Sequence, residues 1–422
     1  MNNYQIDVNS HLTENHNFQT NNLYSTLVNT QLKQDSFYHP NIGGRTQHGM
    51  ANHFPMTIQS MANIGANDQQ ILDFMARWQQ PRSLILQDNQ LKDNLLINEK
   101  NWFEFIGKAH YLIQFKRVFF DKLEKENSIE NTQKVILESL DKMKYGIAMG
   151  LFHPFIRLSF AIQHQDNGLI ADALAYMAIR YKDLYNKQSI ELDTQKDNEF
   201  TNKNENEISS QQIWDDFLSA INKTKFSTIT QFIDQSRSGT IHICERLCAF
   251  DVLHDLSLNL PLSSSLSSSL SSGYTINNFN LKTRLQEITE LAGQLFLTEE
   301  SLTTIHAVTA TQALSYIVKV LYDKNTNNQV LVDLTKLTWV WLSSLYIEKT
   351  RHQNLFSVSE ADNNKVKNIS WAQIKQQALN SKEVHVIKLT FSCEWLDNEY
   401  KNNTGSTNSI YKTCALKSVS RW

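Results

Sequence analysis

The 422-residue chain contains few of the residues that build tight turns, with only 5 prolines and 12 glycines. An all-β protein or a doubly wound α/β protein needs many such turns. The strict alternation of apolar and polar residues that marks a half-buried strand is also rare. These shortages predict an all-α, mainly helical fold.

Cysteines and long apolar runs are scarce as well. Four cysteines are too few for a disulfide framework, and they fit a reducing compartment. The most apolar stretch, Leu334 to Ile347, includes a lysine and falls short of the ~18 residues that a membrane span requires. The N-terminus lacks a basic start followed by an apolar run, so no secretory signal is visible. We therefore expect a cytoplasmic protein without a membrane partner.

The chain also lacks a charge excess and the common catalytic motifs. Its 40 basic and 43 acidic residues give a net charge of −3, too balanced to attract nucleic acid over the whole surface. No GxGxxG, GxxxxGK[ST], HExxH, GxSxG or paired CxxC motif is present. A Rossmann cofactor site, a P-loop and the usual zinc and serine-hydrolase sites therefore have no support.

Several segments carry apolar residues at three- and four-residue spacing, which is typical of amphipathic helices. Two polar stretches, Lys187–Ser210 and Pro261–Gly273, interrupt them and indicate loop insertions. Because the candidate site residues lie on both sides of these stretches, we expect one large helical domain over residues 46–422. Residues 1–45 form a polar segment that we expect to be partly disordered.

Four of the 13 histidines stand in apolar surroundings: His53 in Asn52-His53-Phe54-Pro55-Met56, His153 in Phe152-His153-Pro154-Phe155, His306 in Ile305-His306-Ala307-Val308, and His385 in His385-Val386-Ile387-Lys388. The prolines suit the first turn of a helix. Alone, each imidazole would be satisfied by a backbone carbonyl. Burying several without partners costs free energy, and one shared metal ion would satisfy them together.

Lys388 lies three residues after His385, so the two side chains share one face of a helix. A buried lysine has a lowered pKa, and its neutral amine can add carbon dioxide to form a carbamate, which is an anionic oxygen ligand. The alternative is that the side chain of Lys388 extends to solvent.

Other candidates have weaker patterns. His164-Gln165-Asp166 contains the H-x-D spacing of a two-histidine, one-carboxylate iron site, but this short match is common by chance. Cys244 and Cys248 lie one helical turn apart and read more simply as buried thiols than as metal ligands.

Two further residues are candidates for catalysis. Arg157 is one turn after His153 and could bind an anionic substrate group or form an ion pair with a carboxylate. His110 is a second candidate near the site. Four aromatic residues are candidates for the wall of a substrate pocket or for plain core: Trp102, Phe105, Tyr111 and Phe155.

At these residues the sequence resembles the questin oxidase-like family, whose known members are mostly fungal oxidases of anthraquinone and polyketide secondary metabolism. The resemblance rests on segments that occur in the family's order from about residue 50 to residue 390. They are Asn52–Met56 with Asn63–Ala66, Gly107–Lys108 with Tyr111 and Phe119–Phe120, Phe152–Leu158 with Ala173–Tyr176, His306–Thr309, and His385–Lys388.

The resemblance implies a helical oxidoreductase that uses O2 to oxidise a polycyclic aromatic or polyketide-like substrate, by Baeyer–Villiger-type oxygen insertion or by ring cleavage. A ring-cleaving relative holds non-haem Fe(II) with four histidines and a carboxylated lysine. Carried over by motif, these positions are His53, His153, His306, His385 and Lys388. Two alternatives stay open: an oxidase of the same family that uses NADPH as a reductant, and a non-catalytic helical binding protein. The sequence does not define an oligomeric state.

Overall fold

The computed structural model describes residues 24–42, 49–78, 97–126, 128–184, 278–323, 328–350, 360–400 and 410–421. Within these ranges 79% of the residues are helical and none forms a strand. An isolated antiparallel bridge joins Asn41 and Ala51. The all-α fold predicted from the shortage of turn residues is confirmed.

The described ranges contain fourteen α-helices, numbered here in chain order. They are α1 (Thr26–Asp35), α2 (Phe54–Asn63), α3 (Asp68–Trp78), α4 (Leu112–Glu124), α5 (Ile129–Met143), α6 (His153–His164), α7 (Asn167–Arg180), α8 (Asn278–Thr298), α9 (Leu302–Leu321), α10 (Gln329–Thr350), α11 (Glu360–Asn368), α12 (Trp371–Ser381), α13 (Val384–Tyr400) and α14 (Ile410–Arg421). Three short 3-10 helices accompany them: Trp102–Phe105, Ala109–Tyr111 and Lys144–Gly146.

The starts of the helices follow local sequence signals. Pro55 and Pro154 occupy the first turns of α2 and α6, where a missing backbone N–H leaves no hydrogen bond unmade. The side chain of Ser301 accepts from the backbone of Thr304 and that of Thr304 accepts in return, forming a capping box at the start of α9. These signals mark where the chain enters α2, α6 and α9.

Four helices pack in a closed ring around the centre of the molecule: α2 contacts α6, α6 contacts α9, α9 contacts α13, and α13 contacts α2. Helices α9 and α13 run parallel, because Gln312 faces Ser392 near their middles and Lys319 pairs with Glu399 further along both. Their N-terminal ends therefore meet at the same end of the ring.

The predicted polar insertions, Lys187–Ser210 and Pro261–Gly273, lie outside the described residues, as do Cys244 and Cys248. The N-terminal segment is described from residue 24 to residue 42. There, α1 buries Val28 and Leu32 in the hydrophobic core. None of the described helices is both long enough and apolar enough to cross a bilayer.

Candidate metal centre

Four helix N-termini bring the predicted ligands together. His53 is the N-cap residue of α2, and His153 is the first residue of α6. His306 lies in the second turn of α9, while His385 and Lys388 lie in the first two turns of α13. We call these five residues the imidazole cluster.

The four imidazole rings form a closed quadrilateral. Ring centroids are 4.6 Å apart between His53 and His153, 4.4 Å between His153 and His306, 5.3 Å between His306 and His385, and 4.7 Å between His385 and His53. Lys388 closes one corner, where its Nζ lies 2.8 Å from Nδ1 of His53. The structure therefore brings all five residues together, while their role as metal ligands stays a prediction.

The hydrogen bonds of His153 and His306 fix which ring nitrogen carries the proton. His153 Nδ1–H donates to the carbonyl oxygen of Gly150, and His306 Nδ1–H donates to that of Leu302, both at 2.5 Å. A neutral imidazole has one N–H, so Nε2 of each ring presents a lone pair. His385 is held similarly, with its Nδ1 2.8 Å from Oε1 of Glu383.

These anchors leave the Nε2 atoms facing one another. Nε2 of His153 lies 3.0 Å from that of His306 and 3.1 Å from that of His53. Because Nε2 of His306 carries no proton, its contact with Nε2 of His153 brings two lone pairs together and is not a hydrogen bond. Two lone pairs that face each other repel, and a cation bound between them would relieve this repulsion.

Burial keeps the four histidines of the cluster uncharged. It lowers the pKa of His53, His153 and His306 well below the usual value, and their mutual repulsion and that of Lys388 lower it further. Burial also lowers the pKa of Lys388 to about 7, with Glu383 opposing the shift. At neutral pH the cluster is therefore a set of neutral nitrogen bases with a large amine fraction at Lys388.

The N-terminal ends of the four helices add positive potential to this region, because each carries roughly half a positive charge. Among the described residues, Glu383 places a carboxylate against the cluster, next to His385. The side chain of Glu383 is 37% exposed. The potential of the helix ends favours negative charge in this region.

A strained turn places His153. Gly150, Leu151 and Phe152 all have positive φ angles, of 62°, 52° and 61°. A left-handed conformation at two consecutive non-glycine residues costs free energy, and such strain is typical of functional sites. The turn directs the carbonyl oxygen of Gly150 at Nδ1 of His153. A Cβ at Gly150 would lie 2.6 Å from the guanidinium of Arg180, so a larger residue there would have to displace that side chain.

The donor set fits a metal ion in chemistry and in spacing. Metal–nitrogen bonds of about 2.1 Å at right angles place two nitrogen atoms about 3.0 Å apart, close to the observed Nε2 separations. However, no three His, Cys, Asp or Glu side chains in the described ranges are already arranged as a complete ligand set around one point.

Arg157 lies in a different cluster, where it forms ion pairs with carboxylates. This is one of the two roles that the sequence left open for it. Its guanidinium contacts Asp35 at 2.9 Å and also pairs with Asp172, which pairs in turn with Lys116. Asn52 donates to Asp35 at 3.0 Å. We call these five residues the Arg157 network. All of them except Lys116 are buried.

The remaining sequence candidates lie elsewhere. His110 is exposed, and its ring lies tilted against that of Tyr111, with ring centroids 4.0 Å apart. His164 stacks on Tyr24, and Asp166 caps α7 by accepting from the backbone N–H of Leu169. The H-x-D motif thus forms a helix end and a helix cap.

The four predicted pocket aromatics divide between core and half-buried positions. Trp102 and Phe155 are buried, the former against Phe119. Phe105 and Tyr111 are half-buried and pack edge to face, with ring centroids 5.3 Å apart.

Three residues near the cluster were missed by the sequence analysis: Glu383, Asn52 and Trp78. Asn52 Oδ1 accepts from the backbone N–H of Phe54 at the start of α2 and from the indole N–H of Trp78. Trp78 is half-buried, with its ring 6.1 Å from that of His53. Only Asn52 carried a signal, because an asparagine just before a helix is a common cap.

The sequence model of the questin oxidase-like family matches residues 50–393, which is most of the chain. The chain belongs to the questin oxidase-like family. Membership implies oxidoreductase activity. The matched range includes every member of the imidazole cluster. Among curated proteins, no sequence matches this chain.

Proposed function

We propose that this questin oxidase-like protein is a non-haem iron-dependent oxygenase. It would use O2 to oxidise a polycyclic aromatic or polyketide-like substrate, by Baeyer–Villiger-type oxygen insertion or by ring cleavage. The single observation that carries the proposal is the 3.0 Å contact in the buried interior between Nε2 of His153 and Nε2 of His306, two rings whose Nδ1 atoms are held by backbone carbonyls. Such a contact is unfavourable without a cation, and imidazole is the commonest protein ligand of transition metals.

His53, His153, His306 and His385 would hold the iron, with Lys388 as the fifth ligand. When bound, Fe(II) allows O2 to react by one-electron steps that are otherwise slow with organic substrates. The anchors at Gly150 and Leu302 keep Nδ1–H of His153 and His306 pointing away from the centre, so that Nε2 is always the free donor.

Lys388 would carry a carbamate, because its neutral amine can attack carbon dioxide. The Nζ–C bond forms as one C–O π pair moves onto oxygen, the nitrogen loses one proton, and one negative charge is created. Nδ1 of His53 lies 2.8 Å from Nζ and would pass that proton on towards solvent, because burial keeps His53 neutral. The helix N-termini stabilise the resulting anion.

The same potential would favour a substrate that binds as a phenolate or an enolate. Trp78 offers a flat, half-buried surface beside His53, and its indole stacks on Phe74 at 5.8 Å. Flat aromatic rings pack well on such a surface. The low exposure of the cluster would exclude water from the reaction.

The proposal is tested by metal analysis of protein purified without a histidine tag, loaded anaerobically with Fe(II). We expect about one iron per wild-type chain and loss of iron in His306→Ala. His164→Ala is the matched control and should retain iron, because its ring stacks on Tyr24. If the wild-type protein takes up no iron, the proposal is wrong.

Activity is tested with hydroxylated anthraquinones and other fused aromatics under 18O2, with and without NADPH. Incorporation of two labelled atoms indicates a dioxygenase, and incorporation of one indicates a monooxygenase. A requirement for NADPH would favour the oxidase alternative. The carbamate is tested by adding 13C-labelled bicarbonate and recording an NMR spectrum. The signal of a labelled carbamate should appear in the wild-type protein and be missing in Lys388→Ala.

A further inference from the structure

Glu383 holds His385 in a way that differs from the anchors of the other rings. The carboxylate lies 2.8 Å from Nδ1 of His385, whereas Nδ1 of His153 and of His306 donate to backbone carbonyls. A backbone carbonyl is neutral and cannot be changed by substitution. Glu383 is therefore a charged and replaceable partner of a predicted ligand.

The carboxylate has two consequences for His385. It accepts Nδ1–H and so leaves the lone pair on Nε2. An ionised acceptor also forms a stronger hydrogen bond than a neutral one and makes the opposite ring nitrogen a better donor to a metal. Because Glu383 is 37% exposed and His385 is 16% exposed, this pair forms the solvent-facing edge of a cluster that is otherwise buried.

We infer that Glu383 is a positioning residue of the metal centre, which selects the Nε2-donor form of His385 and fixes the direction of its ring. This inference rests on the proposed function, because it assumes that the imidazole cluster binds a metal ion. It adds a carboxylate that binds no metal itself but controls one of the ligands.

Glu383 also has a structural role that the test must separate. Its Oε1 accepts from the backbone N–H of His385 at 3.2 Å, so the side chain caps the start of α13. Serine is among the best residues at a helix start, but its side chain is too short to reach the imidazole. Glu383→Ser thus keeps a cap and removes the ring contact, while Glu383→Gln keeps an acceptor for both and removes the charge.

The experiment measures Fe(II) and Co(II) affinity by competition with a chelator, the absorption spectrum of the Co(II)-loaded protein, and the melting temperature of the metal-free protein. We expect Glu383→Ser to bind either metal about 10- to 100-fold more weakly, with an unchanged melting temperature of the metal-free protein. Glu383→Gln should shift the Co(II) spectrum and lose less affinity. The matched control is Glu394→Gln, which removes a carboxylate of the same helix that pairs with Lys375.

Two results would overturn the inference. One is wild-type affinity and spectrum in Glu383→Ser, which would make the residue a helix cap only. The other is weaker binding in Glu383→Ser that comes with a lower melting temperature, together with an unchanged spectrum in Glu383→Gln. If the wild-type protein binds neither metal, the proposed function fails first. If the wild-type protein binds metal and the variants match it, the inference alone fails.

Discussion

The two residues that precede α2 and the helix α6 both contribute to two buried polar clusters, the imidazole cluster and the Arg157 network. Asn52 of the network immediately precedes His53 of the cluster, and Arg157 follows His153 by one turn of α6. Both clusters therefore share the same scaffold. They differ in how their polar groups are satisfied.

The Arg157 network balances its own charge. Two cations, Arg157 and Lys116, face two carboxylates, Asp35 and Asp172. Next to Arg157, the carboxylate of Asp172 has a lowered pKa in spite of its burial, because the guanidinium and Lys116 stabilise its charged form. The charges of the network are thus paired within the protein, although Nη1 of Arg157 is buried without a hydrogen-bond partner.

The imidazole cluster is the opposite case. It brings together five nitrogen bases. Among the described residues, the carboxylate of Glu383 contacts this cluster, and it lies at the exposed edge. Its members respond to burial by remaining neutral, and two lone pairs still face each other. The comparison teaches that one cluster pairs its charges within the protein, while the other gathers nitrogen bases around two facing lone pairs.

The largest expected effect comes from breaking the Arg157 network. Arg157→Met leaves two buried carboxylates facing Lys116 alone and should lower the free energy of unfolding by about 3–5 kcal/mol. Urea denaturation measures this change. The control is Lys125→Ala, which removes an exposed pair with Glu99 and should cost less than about 1 kcal/mol.

The same variant distinguishes the two roles that the sequence left open for Arg157. Folded Arg157→Met protein should still retain iron. Wild-type stability combined with lost activity would contradict the comparison and favour a substrate-binding role.

Much of the imidazole cluster could be predicted from the sequence, while the Arg157 network could not. Pro55 and Pro154 mark helix starts beside His53 and His153, and the apolar segments single out the same histidines. The Arg157 network depends on partners distant along the chain, since Asp35 and Arg157 are 122 residues apart. No local pattern connects them.

The finer geometry of the site was also beyond local patterns. The left-handed turn at Leu151 and Phe152 uses residues that rarely adopt this conformation, so only the packing of the fold explains it. Glu383 appears in the sequence as an ordinary charged residue near a helix start. Its contact with His385 depends on the rotamers of both side chains.

The next largest expected effect comes from replacing Lys388, because burying its amine destabilises the metal-free protein. Its pKa is about 7 in the folded protein and 10.5 in the reference state, so folding at pH 8 must release a proton from the ammonium. Lys388→Met removes this cost and should raise the free energy of unfolding at pH 8 by about 3 kcal/mol.

The measurement is urea denaturation in metal-free buffer that contains no carbon dioxide. Lys365→Met is the control, because Lys365 is exposed and its replacement should change stability little. The Lys388→Met variant should also lose iron. Equal or lower stability in metal-free Lys388→Met would show that the amine is compensated within the protein, and the contrast between the two clusters would weaken.

The smallest expected effect is a change in how the free energy of unfolding depends on pH when His306 is replaced. His306 has a lowered pKa in the folded, metal-free protein, so the unfolded chain binds more protons below about pH 6.5. Stability contributed by this residue is therefore present above that pH and is lost as the pH falls towards the folded value. His306→Phe should reduce the acid-side slope of unfolding free energy by about 1.4 kcal/mol per pH unit. Between pH 7.5 and 8.5 the slopes of the two proteins should agree, and an unchanged acid-side slope would mean that His306 is already protonated or paired in the metal-free cluster.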